Sequence, residues 1–291
     1  MNLDKSLVGT KLKTYHTEIS PRAISNYAAA VEDNNPRYFD DERKRGILSP
    51  PVMPVAVTWP VLSRLDKFID SEDFPTEVLM TQVHYTEHLI LHRPMQPGDH
   101  LSIHGHIKAF LPHRAGTHAL ICLEAKDAGG LPVFTETIGA MLRGVSCGEG
   151  ASDGEISPVP ENDGGTEILW TSDIPISPER PYVYDGCTGI EFPIHTSPAF
   201  ARMVGLPGII LQGTATLAYA VRELVNREAG RDPERIAEIA CRFSGMVRPG
   251  STIKVCCIGQ KKQANHRDVF FEVLNENKEK AIRNGYIKIK G

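Results

Sequence analysis

The feature that most restricts the fold is a repeat of plan rather than of letters. Along 291 residues, a breaker-rich segment, one helical stripe and several alternating strands come in the same order twice. In the first half "GILSPPVMP" precedes a stripe of Val61, Leu62, Leu65, Phe68 and Ile69, with Pro60 expected in the first turn of that helix. Strands follow in "YTEHLILHRPMQPGDHLSIHGHI" and in the hairpin "ALICLEAKDAGGLPVFTETIGAMLRGV", whose Asp-Ala-Gly-Gly is turn chemistry. In the second half "GLPGIILQG" precedes "TATLAYAVRELVNREAG", which sets Leu217, Val221, Leu224 and Val225 against Arg222, Glu223, Asn226 and Arg227. The strands "RFSGMVRPGSTIKVCCIG", "DVFFEVL" and "GYIKIK" complete it, the last two separated by the turn-rich "NENKEKAIRN". One helix followed by antiparallel strands, given twice, is a duplicated α+β domain.

Such a helix buries its stripe when a curled antiparallel sheet wraps it. Two such sheets can join edge to edge and hide strands that would otherwise invite aggregation. The duplication then makes a pseudo-dimer inside one chain; a homodimer of such chains stays open. The break between the halves is "CGEGASDGEISPVPENDGG", poor in large apolar residues, so residues 1–146 and 166–291 are expected as units around a linker of residues 147–165.

Composition narrows the function classes. A net charge of -4 and no basic stripe leave a nucleic-acid partner without its electrostatic footprint. The opening residues carry no apolar targeting core and no run is long enough to span a bilayer, so a cytoplasmic address without a membrane partner is expected. The six cysteines form no C-x-x-C pair and read as buried thiols. His84, His88 and His92 would align on a helix, but on the strand read here residues four apart are too distant to share one ion, and His100, His104 and His106 are limited likewise. No metal site is expected, nor a phosphate loop, nucleophile elbow or dinucleotide fingerprint.

The stretch from Tyr184 onward resembles the loop motif of the MaoC-type dehydratases, a hotdog-fold group that includes (R)-specific enoyl-CoA hydratases. Thr188-Gly189, Pro193-Ile194-His195 and Ser197 fit that motif, and Gly205-Leu206-Pro207 and Gln212-Gly213 fit the segment leading to the central helix. The first half is similar to the dehydratase-related domain often fused ahead of it. The resemblance implies a double hotdog, two long central helices each wrapped by a curled antiparallel sheet. It also implies an acyl-thioester hydro-lyase acting on 2-enoyl-CoA, or on 3-hydroxyacyl thioesters of coenzyme A or acyl carrier protein, with no cofactor.

Two positions depart from the motif. The family's aspartate falls on Ile190 and its asparagine on Phe192. The first half keeps Asp33 and Asn35 in the same register, but has Tyr38 where the histidine belongs. The run "EDNNP" is also good turn chemistry, so Asp33 is expected to be structural; the resemblance implies that the first half helps to shape the acyl tunnel.

Hydration of an enoyl thioester needs a base for water, a proton donor for the α-carbon and donors for the thioester oxygen. His195 suits proton transfer, and Pro193 stiffens the segment that aims it. Gly213 suits the oxygen, because a helix N-terminus presents unpaired N–H groups and glycine admits a close approach. Gln212 can donate where the family has histidine. With Ile190 unable to carry a proton, three readings stay open: His195 acting alone with Thr188 or Gln212 holding water, Glu191 swinging in, or Asp33 borrowed from the other half. A non-catalytic acyl-CoA-binding module is the alternative, and a thioesterase a third, weakened because its helix would want a carboxylate earlier than Glu223.

Overall fold

A computed structural model describes residues 1–162 and 167–291. In the first half β1 (Tyr15–Glu18) leads into α1 (Pro21–Ala30), then α2 (Pro54–Leu62) and α3 (Leu65–Phe68). Strands β2 (Gln82–Leu91), β3 (His100–His113), β4 (Gly116–Lys126) and β5 (Pro132–Arg143) close it. After β6 (Ala151–Ser152), the second half runs β7 (Trp170–Pro175), α4 (Arg180–Thr188), α5 (Pro193–Thr196), α6 (Pro198–Met203) and α7 (Gly213–Glu228). It ends with β8 (Ile236–Phe243), β9 (Thr252–Lys262), β10 (His266–Leu274) and β11 (Lys280–Lys290).

The strands form one open antiparallel sheet in the order β1-β3-β4-β5-β2-β8-β11-β10-β9-β7, with β6 pairing off that path to β3. The order is palindromic: each strand of the first half has its counterpart at the same distance from the β2–β8 seam. Leu89 pairs with Ile239 at that seam, so two half-sheets become one continuous ladder and each loses an exposed edge. This is the duplicated α+β architecture of the repeated plan, in the double hotdog form that the resemblance implied.

The two central helices differ. In α7, Leu217, Val221, Leu224 and Val225 are buried to 1% exposure or less; burying each such side chain stabilises by about 1.5–3 kcal/mol relative to leaving it in water. The first-half stripe is divided between α2 and α3, because the chain leaves helical geometry at Arg64 (φ -130°, ψ 38°). Pro60 stands inside α2, not in its first turn; Pro54 holds the first-turn position instead. So short a helix tolerates the one hydrogen bond that Pro60 removes. Strand β11 likewise starts earlier than its turn-rich sequence suggested, at Lys280, with register shifts along its pairing to β8.

The stretch between the halves is seated on the sheet. Val159 packs on a small cluster of Ala240, Phe270 and Tyr286, and Asn162 donates to the Ile258 carbonyl over 2.9 Å. The end of the expected linker, residues 163–165, and the expected start of the second unit at 166 lie outside the described residues.

Candidate active site

In the second half, α4 ends where the Thr188 hydroxyl donates to the Tyr184 carbonyl (2.6 Å) and accepts from the Ile190 N–H (3.2 Å). Gly189 takes the left-handed conformation (φ 71°) that closes the helix and reverses the chain. Ile190 turns inward, 4% exposed, while Glu191 and Phe192 face solvent. Pro193 then starts the single turn of α5, which carries His195.

The His195 ring is held by its Nδ1, 2.8 Å from the Ile210 carbonyl oxygen. A carbonyl only accepts, so Nδ1 carries the proton and Nε2 presents a bare lone pair. Burial pushes the imidazole pKa down to about 4, against a smaller opposing pull from the Ile210 carbonyl. At neutral pH the ring is therefore an uncharged base.

Ile210 lies three residues before Gly213, in the segment that runs into α7. The bond from His195 thus ties the imidazole to the approach of that helix. Gln212 caps α7 without a side-chain cap bond; its amide instead donates to the Pro181 carbonyl (3.0 Å) and pins α7 to α4. Gly213 opens the helix, and its N–H has no acceptor among the described residues. A Cβ there would stand 3.1 Å from the Phe243 ring, so glycine also lets β8 approach the helix start.

The sequence-derived candidates therefore divide. His195 and Gly213 stand on connected segments with free hydrogen-bonding capacity. Thr188 and Gln212 each give a donor to a backbone carbonyl, with the Gln212 Oε1 left buried and unpartnered, and Glu191 points outward. The first-half counterparts form turns: Asp33 accepts from the Asn35 N–H (3.1 Å), and Asn35 from the Arg37 N–H (3.0 Å). Asp33 and the fully buried Tyr38, whose hydroxyl has no partner, line a narrow cleft against Ala218, Val221 and Arg222 of α7. Borrowing Asp33 for His195 finds no contact to support it.

A second polar cluster escaped the sequence reading. His84 Nε2 lies 3.1 Å from Glu87 Oε2, and Glu87 stands in hydrogen-bond reach of Glu136. Glu87 is 1% exposed and Glu136 0%. Burial pushes Glu87 up to about 8, against smaller opposing pulls from Glu136 and the His88 backbone, while burial and then the charge of Glu87 hold Glu136 well above the carboxylate range. The His84 ring packs on Phe243 (centroids 4.5 Å apart), the residue that abuts Gly213. Tyr27 and Tyr184 meet across the halves, hydroxyl to hydroxyl at 3.3 Å.

Known proteins match both halves. A family described as MaoC like domain matches residues 161–281, and one described as FAS1-like, dehydratase domain region matches residues 6–136. The 3-hydroxyacyl-thioester dehydratase Y of Mycobacterium tuberculosis is 29% identical over 177 residues, covering 59% of this chain and 59% of that protein. The peroxisomal enoyl-CoA hydratase 2 of Arabidopsis thaliana is 30% identical over 99 residues, covering 34% of this chain and 30% of that one. These matches span less than two thirds of the relatives' own length. Among solved structures, a MaoC-like dehydratase from Phytophthora capsici superposes with a TM-score of 0.82 at 20% identity, covering 98% of this chain and 97% of the other. Among the described residues no helix is long and apolar enough to cross a membrane. Fold, duplication and the two matched regions lead to one assignment: the chain joins a FAS1-like dehydratase region to a MaoC-like dehydratase domain on a double hotdog.

Proposed function

We propose that the second half is an acyl-thioester hydro-lyase site, hydrating 2-enoyl-CoA or, in reverse, dehydrating 3-hydroxyacyl thioesters of coenzyme A or acyl carrier protein. The observation that carries this reading is the single bond from His195 Nδ1 to the Ile210 carbonyl. It leaves Nε2 bare beside the approach to a helix start whose first N–H is unpartnered. Relatives named as enoyl-CoA hydratase and 3-hydroxyacyl-thioester dehydratase support the reaction class.

In the hydration direction a water oxygen bonds to the β-carbon while its proton passes to His195 Nε2. The double-bond electrons move onto the α-carbon and the thioester oxygen, where the Gly213 N–H and the positive end of α7 hold the developing charge. The minimal cycle ends when the imidazolium returns its proton to the α-carbon. The thioester itself acidifies that carbon, so the step calls on no further group.

Replacing His195 by Ala is expected to lower the turnover of crotonyl-CoA by at least about 10²-fold, the scale of a lost general base. Turnover at the wild-type rate would remove the reading. The acid limb of kcat/KM is expected near pH 4, where burial has placed this imidazole, well below its ordinary range.

The buried Ile190 where the family has its aspartate favours a second reading, an acyl-thioester-binding module without turnover. Calorimetric binding of acyl-CoA, with no hydration or dehydration of any enoyl or hydroxyacyl thioester, would establish it.

A further inference from the structure

We propose that His84, a residue of the first half held by Glu87, is the proton donor to the α-carbon in the second-half site. The inference deepens the hydro-lyase reading and rests on it: the two proton transfers of the minimal cycle are divided between two imidazoles.

The placement follows from the symmetry of the sheet. At the start of α2, a second cleft, separate from that of Asp33 and Tyr38, is lined by Pro54, Leu91 and Arg93 and also by Pro233 and Ile236, at the opening of β8 in the other half. The palindromic strand order puts the opening of β2 in the matching place beside the start of α7, and His84 is the third residue of β2. The contacts agree, since the Phe243 ring touches the His84 ring (centroids 4.5 Å apart, tilted at 57°) and also lies against Gly213 at the start of α7. About a quarter of the His84 side chain (26%) is exposed, while the Glu87 side chain behind it is fully buried (0%). One end of the imidazole is thus anchored in the interior, while part of the ring reaches the surface with the Thr86 backbone close by.

The chemistry of the pair suits donation. Burial makes the ring the weaker proton holder, down to about 4, and makes Glu87 the stronger, up to about 8. At neutral pH the Glu87 hydroxyl donates to Nε2, so the ring's own proton sits on Nδ1. When Nδ1 passes that proton to the α-carbon, Nε2 takes the one from Glu87, leaving a carboxylate to which protonated Glu136 can donate. His195 meanwhile holds the proton from water; its release to solvent and the reprotonation of Glu87 restore the site. The other groups around the pair are Glu136 on β5, Cys241 on β8 and Tyr27 on α1, each of which loses its proton only with difficulty. No lysine or arginine bonds either carboxyl among the described residues.

The test measures crotonyl-CoA hydration from pH 5 to pH 10 by wild type, His84→Gln, Glu87→Gln and His195→Ala. His84→Gln is expected to lose about 10²-fold in kcat with KM held within about threefold. The wild-type profile is expected to fall as pH rises through about 8, where Glu87 loses its proton, and Glu87→Gln, which keeps shape and hydrogen bonding but cannot release a proton, is expected to lose that limb. His84→Gln with more than half of wild-type kcat, in a preparation where His195→Ala is dead, overturns this inference and leaves the hydro-lyase reading standing. A Glu87→Gln profile that keeps the wild-type basic limb overturns it as well. A wild-type protein inactive on every enoyl and hydroxyacyl thioester tried overturns both.

Discussion

The two halves share one scaffold and differ at the positions where a thioester would be handled. The second half opens its central helix with Gly213, whose N–H is free. The first opens its helix with Pro54, which has no N–H to give. The second half places His195 on a short turn with one nitrogen bare. The first places Tyr38 in the same register, fully buried, with its hydroxyl pointed at no acceptor. At the seam the difference runs the other way: β5 carries Glu136 opposite Leu89, where the corresponding pair in the second half is Ile239 with Ile287. The comparison teaches that duplication preserved the ladder and the helix packing, which stability needs in both copies, while the side chains at the helix starts and at the seam diverged. Chemistry lives in a few side chains placed on a fold, not in the fold itself.

The sharpest way to break this comparison is to give the second half the helix start of the first. Gly213→Pro removes the N–H and keeps a residue that the first turn of a helix accepts. Turnover of crotonyl-CoA is expected to fall by about 10²–10³-fold, the scale of one lost oxyanion donor. Gly213→Ala is the control, since it keeps the N–H and adds only a Cβ 3.1 Å from the Phe243 ring; most of the activity should remain. A folded Gly213→Pro protein with full activity would mean that the helix start does not bind the reacting oxygen.

Those residues also show what could be read from the sequence and what could not. The α7 stripe was legible because apolar residues recur at helical spacing against a charged face. The helix start at Gly213 was legible too, because a glycine stands directly before that stripe, and motif spacing singled out His195 as the residue to test. The division between α2 and α3 was not, because the apolar stripe from Val61 to Ile69 continues unbroken through the point where the backbone turns away. Nor could the letters show that Thr188 and Gln212 were already engaged: their acceptors are the carbonyls of Tyr184 and Pro181, placed only once α4 has formed. Glu87 and Glu136 hid for a different reason. A carboxylate in an alternating strand reads as a solvent-facing residue, and the register shift between His84 and Thr86 displaces the alternation.

A smaller effect is expected where the second half's apolar residue is copied into the first. Glu136→Ile removes a buried carboxyl that no basic group partners, and replaces it with the residue found at the matching position of β11. Glu136 and Glu87 both have raised pKa values in the folded chain. Their contribution to stability is therefore complete below the unfolded value of about 4.5 and is lost as pH rises through the folded one. For Glu87 that window closes at about 8. Urea denaturation at steps from pH 5 to pH 8 is expected to show wild-type stability falling by roughly two protons' worth per pH unit, and Glu136→Ile by about one. At pH 8 the variant is expected to be more stable than wild type by about 1–3 kcal/mol, because an unpaired acid has been exchanged for a packed side chain. Equal slopes would show that the two carboxyls find in the native protein a compensation that the seam does not reveal.

The smallest effect belongs to Tyr38, the residue that stands where the first half would need a histidine. Its hydroxyl is buried without a partner, and burial beside Asp33 holds the phenol well above its usual range, so it stays protonated. A buried hydroxyl that makes no bond contributes nothing to offset its lost hydration. Tyr38→Phe is therefore expected to leave stability unchanged or to raise it by up to about 1 kcal/mol, with crotonyl-CoA turnover unaffected. If the substitution instead lowered turnover tenfold or more, the narrow cleft of Asp33 and Tyr38 against α7 would be a working part of the site, and the division of labour between the halves would have to be redrawn.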